Sequence, residues 1–121
     1  MTKRILVVED QEDSRRIMRD LLTTTDYEVT EAENGEEALA AVAKQRPDLI
    51  LMDIQLPIMD GYEATRRLKA DPSSSSIPII AVTSYALSGY EEKARAAGCN
   101  DFVPKPYSPR QLLAKIRQYL P

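Results

Sequence analysis

Five short apolar runs, separated by segments with helical spacing, restrict the fold of this chain more than any other feature of its sequence. The runs cover residues 5–8, 27–30, 49–52, 79–82 and 101–103. Strands that alternate with helices are joined by right-handed crossovers and build a parallel sheet with helices on both faces. The pattern therefore predicts one α/β domain over residues 1–121, with five parallel strands.

Polarity within the runs predicts where each strand lies in the sheet. Runs 5–8, 49–52 and 79–82 are apolar without alternation, as expected for central strands that are buried on both faces. Run 27–30 alternates in polarity, which is typical of an edge strand with one wetter side. Turn and cap residues that separate helices from their neighbours stand at Asn34-Gly35, Asp60-Gly61 and Ala97-Gly98.

Composition excludes several classes of function. The chain has 16 Lys and Arg residues against 19 Asp and Glu residues, a net charge of -3, which argues against binding to nucleic acid phosphates. The single cysteine, Cys99, forms neither an intrachain disulfide nor a zinc site by itself, so we expect a reducing, cytoplasmic environment. No apolar run approaches the roughly 20 residues of a membrane span. Because histidine is absent, any chemistry must use carboxylates, hydroxyls and lysines.

Chemically useful side chains follow four of the five predicted strands. They are Glu9, Asp10, Asp53, Thr83 and Lys105. Each has an ordinary explanation when taken alone, as a helix-dipole partner, a turn residue, a helix cap or a solvated charge. Ligands of open parallel sheets bind beyond the carboxyl ends of the strands. The five residues together therefore predict a binding site at that edge.

Three carboxylates at one site need a counter-charge. If the first and third strands are neighbours, Glu9, Asp10 and Asp53 converge, and two carboxylates about 4 Å apart repel by roughly 4 kcal/mol at an effective dielectric of 20. Oxygen ligands that leave room for water and a phosphoryl oxygen favour Mg²⁺. We therefore expect Asp53 to be a nucleophile toward a phosphoryl group, with Lys105 neutralising charge and Thr83 donating a hydrogen bond.

Four segments of the chain form a specific pattern. They are VVED at 7–10, MDIQLP at 52–57 with Asp60-Gly61, VTS at 82–84, and Lys105-Pro106. Through them the chain resembles, from end to end, the receiver domain of response regulators. It looks most similar to single-domain receivers of the DivK kind and to receivers attached to hybrid kinases. The resemblance implies a flavodoxin-like fold with strand order 2-1-3-4-5.

The resemblance also assigns roles around the predicted metal. It implies that Asp53 is the phosphoacceptor and that Mg²⁺ is bound by Asp10, Asp53 and the backbone carbonyl of Gln55. Glu9 would act through water. A glutamate at position 9 departs from the usual pair of aspartates, but it leaves the metal role of Asp10 intact.

Further roles concern the response to phosphorylation. The resemblance implies that Lys105 pairs with the phosphate, that Thr83 moves toward it, and that Phe102 turns into the space that opens. Phe102 replaces a frequent tyrosine, so no phenol is available there, and an ordinary core phenylalanine is the alternative. Ser84 would keep the phosphoryl pocket open, and the peptide before Pro106 would be cis.

The implied function is a single-domain response regulator that receives its phosphoryl group from a histidine kinase or a phosphotransfer protein. Without an effector domain, its output would be protein contact, as a monomer or weak dimer. Tyr85 and Tyr90 are candidates for a phosphorylation-sensitive docking face, or they are packing residues. Candidates on the first helix for contact with the kinase, unless they form a solvated face, are Arg15, Arg16, Met18 and Arg19.

Several alternatives remain open from the sequence. The chain could pass its phosphoryl group on to a phosphotransfer histidine, or it could be a receiver cut from a hybrid histidine kinase. A hydrolase with an aspartyl-phosphate intermediate usually needs a second acid two residues after the nucleophile, where this chain has Gln55. A flavin-binding electron carrier needs a phosphate loop rich in hydroxyls and glycine after the first strand, and residues 9–13 are acidic instead.

Overall fold

The computed structural model describes residues 2–84 and 89–121, and it contains five strands that alternate with five helices. The strands are β1 (Arg4–Val8), β2 (Glu28–Ala32), β3 (Leu49–Asp53), β4 (Ile79–Thr83) and β5 (Asp101–Pro104). The helices are α1 (Glu12–Leu22), α2 (Gly35–Lys44), α3 (Gly61–Ala70), α4 (Tyr90–Ala97) and α5 (Pro109–Tyr119). All strand pairs are parallel, and the order is β2-β1-β3-β4-β5. The flavodoxin-like α/β fold that the sequence predicts is confirmed.

Burial follows the strand order. Every residue of β3 and β4 is buried, whereas only the last residue of the edge strand β2, Ala32, is buried. The sheet separates two apolar layers. One contains buried residues of α2, α3 and α4, and the other contains buried residues of α1 and α5. Met18 is 2% exposed within the second layer, so the expectation that it lies on a kinase-binding face is wrong.

Helix ends lie where the turn and cap residues predict them. The Asn34 side chain caps α2 by accepting a hydrogen bond from the Glu37 amide at 2.8 Å, and Asp60 caps α3 by accepting one from Glu63 at 2.8 Å. Gly98 ends α4 with a φ of 116°, a left-handed conformation that glycine adopts at little cost. Asn34 and Asp60 satisfy amides at the start of their helices, and the Gly98 amide donates to carbonyl groups at the end of α4.

Strand register brings the polar strand ends together. Val8 of β1 pairs with Met52 of β3, so Glu9 and Asp53 occupy the next position on neighbouring strands. Asp53 pairs with Val82 of β4, and Thr83 is the following residue. Thr83 in turn pairs with Pro104, directly before Lys105. One edge of the sheet therefore carries the whole predicted set. Within the described residues, no helix has the length and hydropathy needed to cross a membrane.

Candidate phosphoryl and metal site

Three carboxylates meet at the carboxyl edge of β1 and β3. Glu9, Asp10 and Asp53 each offer an oxygen, and these oxygens all lie within 4.8 Å of one another. Glu9 is 0% exposed and Asp53 is 7% exposed, while Asp10 is closer to solvent. The convergence that the sequence predicts is present, with two of the three acids inside the protein.

Lys105 supplies the positive charge that faces these acids. Its ammonium group makes a close ion pair with the Glu9 carboxylate and lies 3.6 Å from Asp53 Oδ2. Its backbone amide donates to the Thr83 carbonyl at 2.7 Å, which holds the end of β5 against the end of β4. The Lys105-Pro106 peptide is cis, as the resemblance implied.

The pKa values of the three acids are shifted in different directions. Burial, together with the neighbouring Glu9 carboxylate, raises the pKa of Asp53 to about 7. Burial also acts to raise the pKa of Glu9, but contacts with Asp53 and Lys105 outweigh it and leave that pKa below its ordinary value. Partial burial and the Glu9 charge raise the pKa of Asp10. The negative charge at this edge therefore exceeds what Lys105 alone compensates.

The donor set fits a hard divalent cation. The second oxygen of Glu9, Oε2, is buried and accepts no hydrogen bond within residues 2–84 and 89–121, so it is available to a cation or a proton. A cleft of 420 Å³ opens from the acids to solvent, which leaves room for water ligands beside the carboxylates. Gln55 lies on the rim of this cleft, and its backbone amide donates to Asp53 Oδ1 at 3.2 Å. An oxygen-rich and incomplete cage of this kind suits Mg²⁺.

The remaining predicted residues surround this centre. Thr83 is fully buried at the end of β4, and Phe102 is half-buried against the layer that contains α4. Ser84 is exposed and lines the cleft, and Pro106 lines an adjoining groove. Tyr85 lies outside the described residues.

Sequence reasoning missed the structural role of Arg15. Its guanidinium donates to the Glu9 carbonyl oxygen at 2.9 Å and to Glu31 Oε1 at 3.0 Å. Only 15% of the side chain is exposed, so Arg15 belongs to the support of the acidic edge rather than to a solvated helix face. No periodicity signals a bond to a backbone carbonyl. A basic residue one turn into the helix after Glu9 and Asp10 was the available hint.

Sequence comparison relates the chain to a known family. The family model described as response regulator receiver domain matches residues 5–117. The polar-differentiation response regulator DivK of Brucella anthropi is 44% identical over 120 residues, which cover 99% of this chain and 98% of that protein. The protein of the same name from Brucella ovis is 43% identical over the same length.

Solved structures agree with this relationship. The receiver domain of a sensor histidine kinase from Pseudomonas aeruginosa, crystallised with a magnesium ion coordinated in its active-site cleft, is 36% identical. It has a TM-score of 0.92 and covers 99% of this chain and 98% of that one. The chemotaxis protein CheY4 of Vibrio cholerae is 28% identical with a TM-score of 0.92, over 98% of this chain and 99% of that one.

Proposed function

Because this chain belongs to the response regulator receiver domain family, we propose that it is a signalling switch that accepts a phosphoryl group on Asp53 in a Mg²⁺-dependent reaction. The observation that carries the proposal is the meeting of Glu9, Asp10, Asp53 and Lys105 at one edge of the sheet. A family match alone does not identify a phosphoacceptor. The position of Asp53 supports this role, because it is a buried carboxylate that lies beside an acidic pair and a lysine and lines an open cleft.

The chemistry follows from the positions of these side chains. An Asp53 carboxylate oxygen forms a bond to phosphorus while the bond between phosphorus and the donor histidine nitrogen breaks, and that nitrogen keeps the electron pair and takes up a proton. Lys105, 3.6 Å from Asp53 Oδ2, stabilises the negative charge on the transferring group. Asp10, Asp53 and the Gln55 carbonyl would hold Mg²⁺, with Glu9 acting through water. When bound, Mg²⁺ supplies additional positive charge to the phosphoryl oxygens.

The switch would run along the ends of β4 and β5. Phosphorylation adds about one negative charge and three acceptor oxygens at Asp53. Thr83 ends the neighbouring strand and is tied through its carbonyl to the Lys105 amide. A change at Asp53 would therefore reach β5, where Phe102 packs against the apolar layer that contains α4. We propose that Thr83 and Phe102 carry this response and that Ser84 keeps the cleft accessible.

A switch of this kind needs a protein that donates the phosphoryl group and a protein that responds to it. A histidine kinase or a histidine phosphotransfer protein would supply the phosphoryl group, and a target protein would recognise the surface near α4 and β5. Kinases of this type draw on ATP, which is a cytoplasmic nucleotide, so we propose that the chain works in the cytoplasm. The chain would catalyse only its own phosphorylation and dephosphorylation.

Phosphorylation by a labelled small donor tests the proposal directly. Purified protein is incubated with ³²P-labelled acetyl phosphate in Mg²⁺ or in EDTA, and the label is mapped by mass spectrometry. We expect one hydroxylamine-sensitive phosphoryl group on Asp53, formed only with Mg²⁺ and absent from the Asp53→Asn variant. The control is Asp13→Asn, which removes an acid whose side chain is 85% exposed on α1. Equal labelling of the wild type and Asp53→Asn would refute the assignment.

A further inference from the structure

The two backbone polar groups of Glu9 are each held by a group outside the cleft. The Glu9 amide donates to the Ala32 carbonyl of β2 at 3.0 Å, and the Glu9 carbonyl accepts from Arg15 Nη1 at 2.9 Å. The carbonyl belongs to the peptide bond that leads into Asp10. Its orientation therefore determines the direction in which the Asp10 backbone leaves the strand.

Arg15 itself is anchored at the sheet edge. Its Nε donates to Glu31 Oε1 of β2 at 3.0 Å, and its Nη1 lies 3.6 Å from Glu33 Oε1. Arg19 shares the same Glu31 carboxylate at 3.1 Å. Because only 15% of the Arg15 side chain is exposed, the planar guanidinium connects α1, β2 and the β1 terminus in one fixed geometry.

We propose that Arg15 is a positioning residue, which sets the Glu9-Asp10 peptide through the Glu9 carbonyl and thereby determines how tightly the acidic site binds divalent cations. This inference deepens the proposed function and rests on it. Groups that orient metal ligands without touching the metal affect affinity by about 10–100-fold when removed. Asp10 is the acid nearest to solvent in this cluster, so its placement depends most on the backbone that carries it.

The sign of the effect separates positioning from simple electrostatics. Arg15 carries a positive charge close to a cation site, so the loss of that charge should by itself tighten cation binding. If Arg15 instead orients the peptide, its removal weakens binding despite the more negative surroundings. Arg15→Lys keeps the charge but lacks the fork that bonds the Glu9 carbonyl and Glu31 together, so a weakening in that variant is geometric.

The test is a Mg²⁺ titration followed by ¹H–¹⁵N spectra, with the amides of Asp10 and Gln55 as local reporters. We expect Arg15→Ala and Arg15→Lys to raise the Mg²⁺ dissociation constant by about tenfold and to shift the Asp10 amide before Mg²⁺ is added. Arg16→Ala is the matched control, since it removes the same charge from the adjacent position, where the side chain is 57% exposed and pairs with Asp13. That control should bind Mg²⁺ as tightly as the wild type.

Urea unfolding of each variant shows which proteins are folded at the titration temperature. If Arg15→Ala does not fold, Arg15→Lys carries the test. Wild-type affinity in Arg15→Lys, or a tighter affinity in Arg15→Ala, would overturn the positioning role and leave the proposed function intact. The absence of Mg²⁺ binding by the wild type would overturn both.

Discussion

The charge balance at Asp53 predicts an unusual dependence of stability on pH. In the cation-free protein, burial and Glu9 raise the pKa of Asp53 from 3.8 to about 7. Between these values the folded protein keeps a proton that the unfolded chain has released, so the free energy of unfolding falls as pH rises. Each pH unit changes this contribution by about 1.4 kcal/mol. From pH 5 to pH 8 the wild type should therefore lose about 2–3 kcal/mol through Asp53, most of it below pH 7.

Asp53→Asn isolates this contribution, because an amide of the same shape does not titrate. Urea unfolding in EDTA, followed by circular dichroism at pH 5, 6, 7 and 8, gives the free energy of unfolding of both proteins. The stability of the variant relative to the wild type should rise by about 2–3 kcal/mol from pH 5 to pH 8. Glu9, whose pKa is lowered, titrates below this window. Asp13→Asn, at a site that is 85% exposed, should show no comparable rise.

The reasoning would be refuted by a difference between the wild type and Asp53→Asn that stays constant from pH 5 to pH 8. A difference of opposite sign would show that Lys105 stabilises the Asp53 carboxylate by more than burial and Glu9 destabilise it. Either result would also remove the argument that the three acids leave negative charge uncompensated.

Four further predictions use the same unfolding assay. Saturating Mg²⁺ should stabilise the wild type more at pH 8 than at pH 5, since cation binding requires deprotonated acids, and Asp53→Asn should lose most of this gain. Ile58→Gly should stabilise the protein by about 0.5–1 kcal/mol, because Ile58 has a φ of 70° and is 74% exposed; a loss of stability would contradict this. Asn34→Ala should lower the free energy of unfolding by about 1 kcal/mol through the loss of the α2 cap; an unchanged urea midpoint would contradict this. Gly61→Ala should cost about 2 kcal/mol or more, since its Cβ would lie 2.2 Å from the Asp53 carbonyl oxygen, and normal stability would show that this contact relaxes.

Most of the fold could be predicted because its determinants are local or periodic. Runs that are apolar on both faces had to become central strands, and the alternating run became the edge strand β2. The parallel register then placed the residues after β1, β3, β4 and β5 at one edge. The residues of the candidate site could be predicted from strand ends because a parallel sheet aligns those ends.

Contacts that depend on one side chain and a distant backbone atom were not predictable. Arg15 was interpreted as a candidate for kinase contact or as part of a solvated face, yet its side chain bonds the Glu9 carbonyl six residues earlier. The left-handed conformation of Ile58, which lets Met59 donate to the Pro57 carbonyl at 2.7 Å, has no signal in a β-branched residue that normally avoids positive φ. The Glu9 carbonyl and Ile58 both lie in loops between a strand and a helix, where neither strand nor helix periodicity applies.

The pairing of charges within the site could not be predicted from the sequence either, and it is the feature that matters most for function. The sequence motifs identify three acids and one lysine as site residues. Only the fold shows that the Lys105 ammonium group contacts Glu9 more closely and lies 3.6 Å from Asp53 Oδ2. Since one ammonium group cannot neutralise three carboxylates, burial and Glu9 raise the pKa of Asp53 to about 7, and a further positive charge at the site would lower it again. If Asp53 is the phosphoacceptor that we propose, its reactivity as a nucleophile would therefore depend on a cation bound at the acidic edge. The same packing that buries Glu9 and Asp53 creates that requirement, because in water neither acid would need a partner.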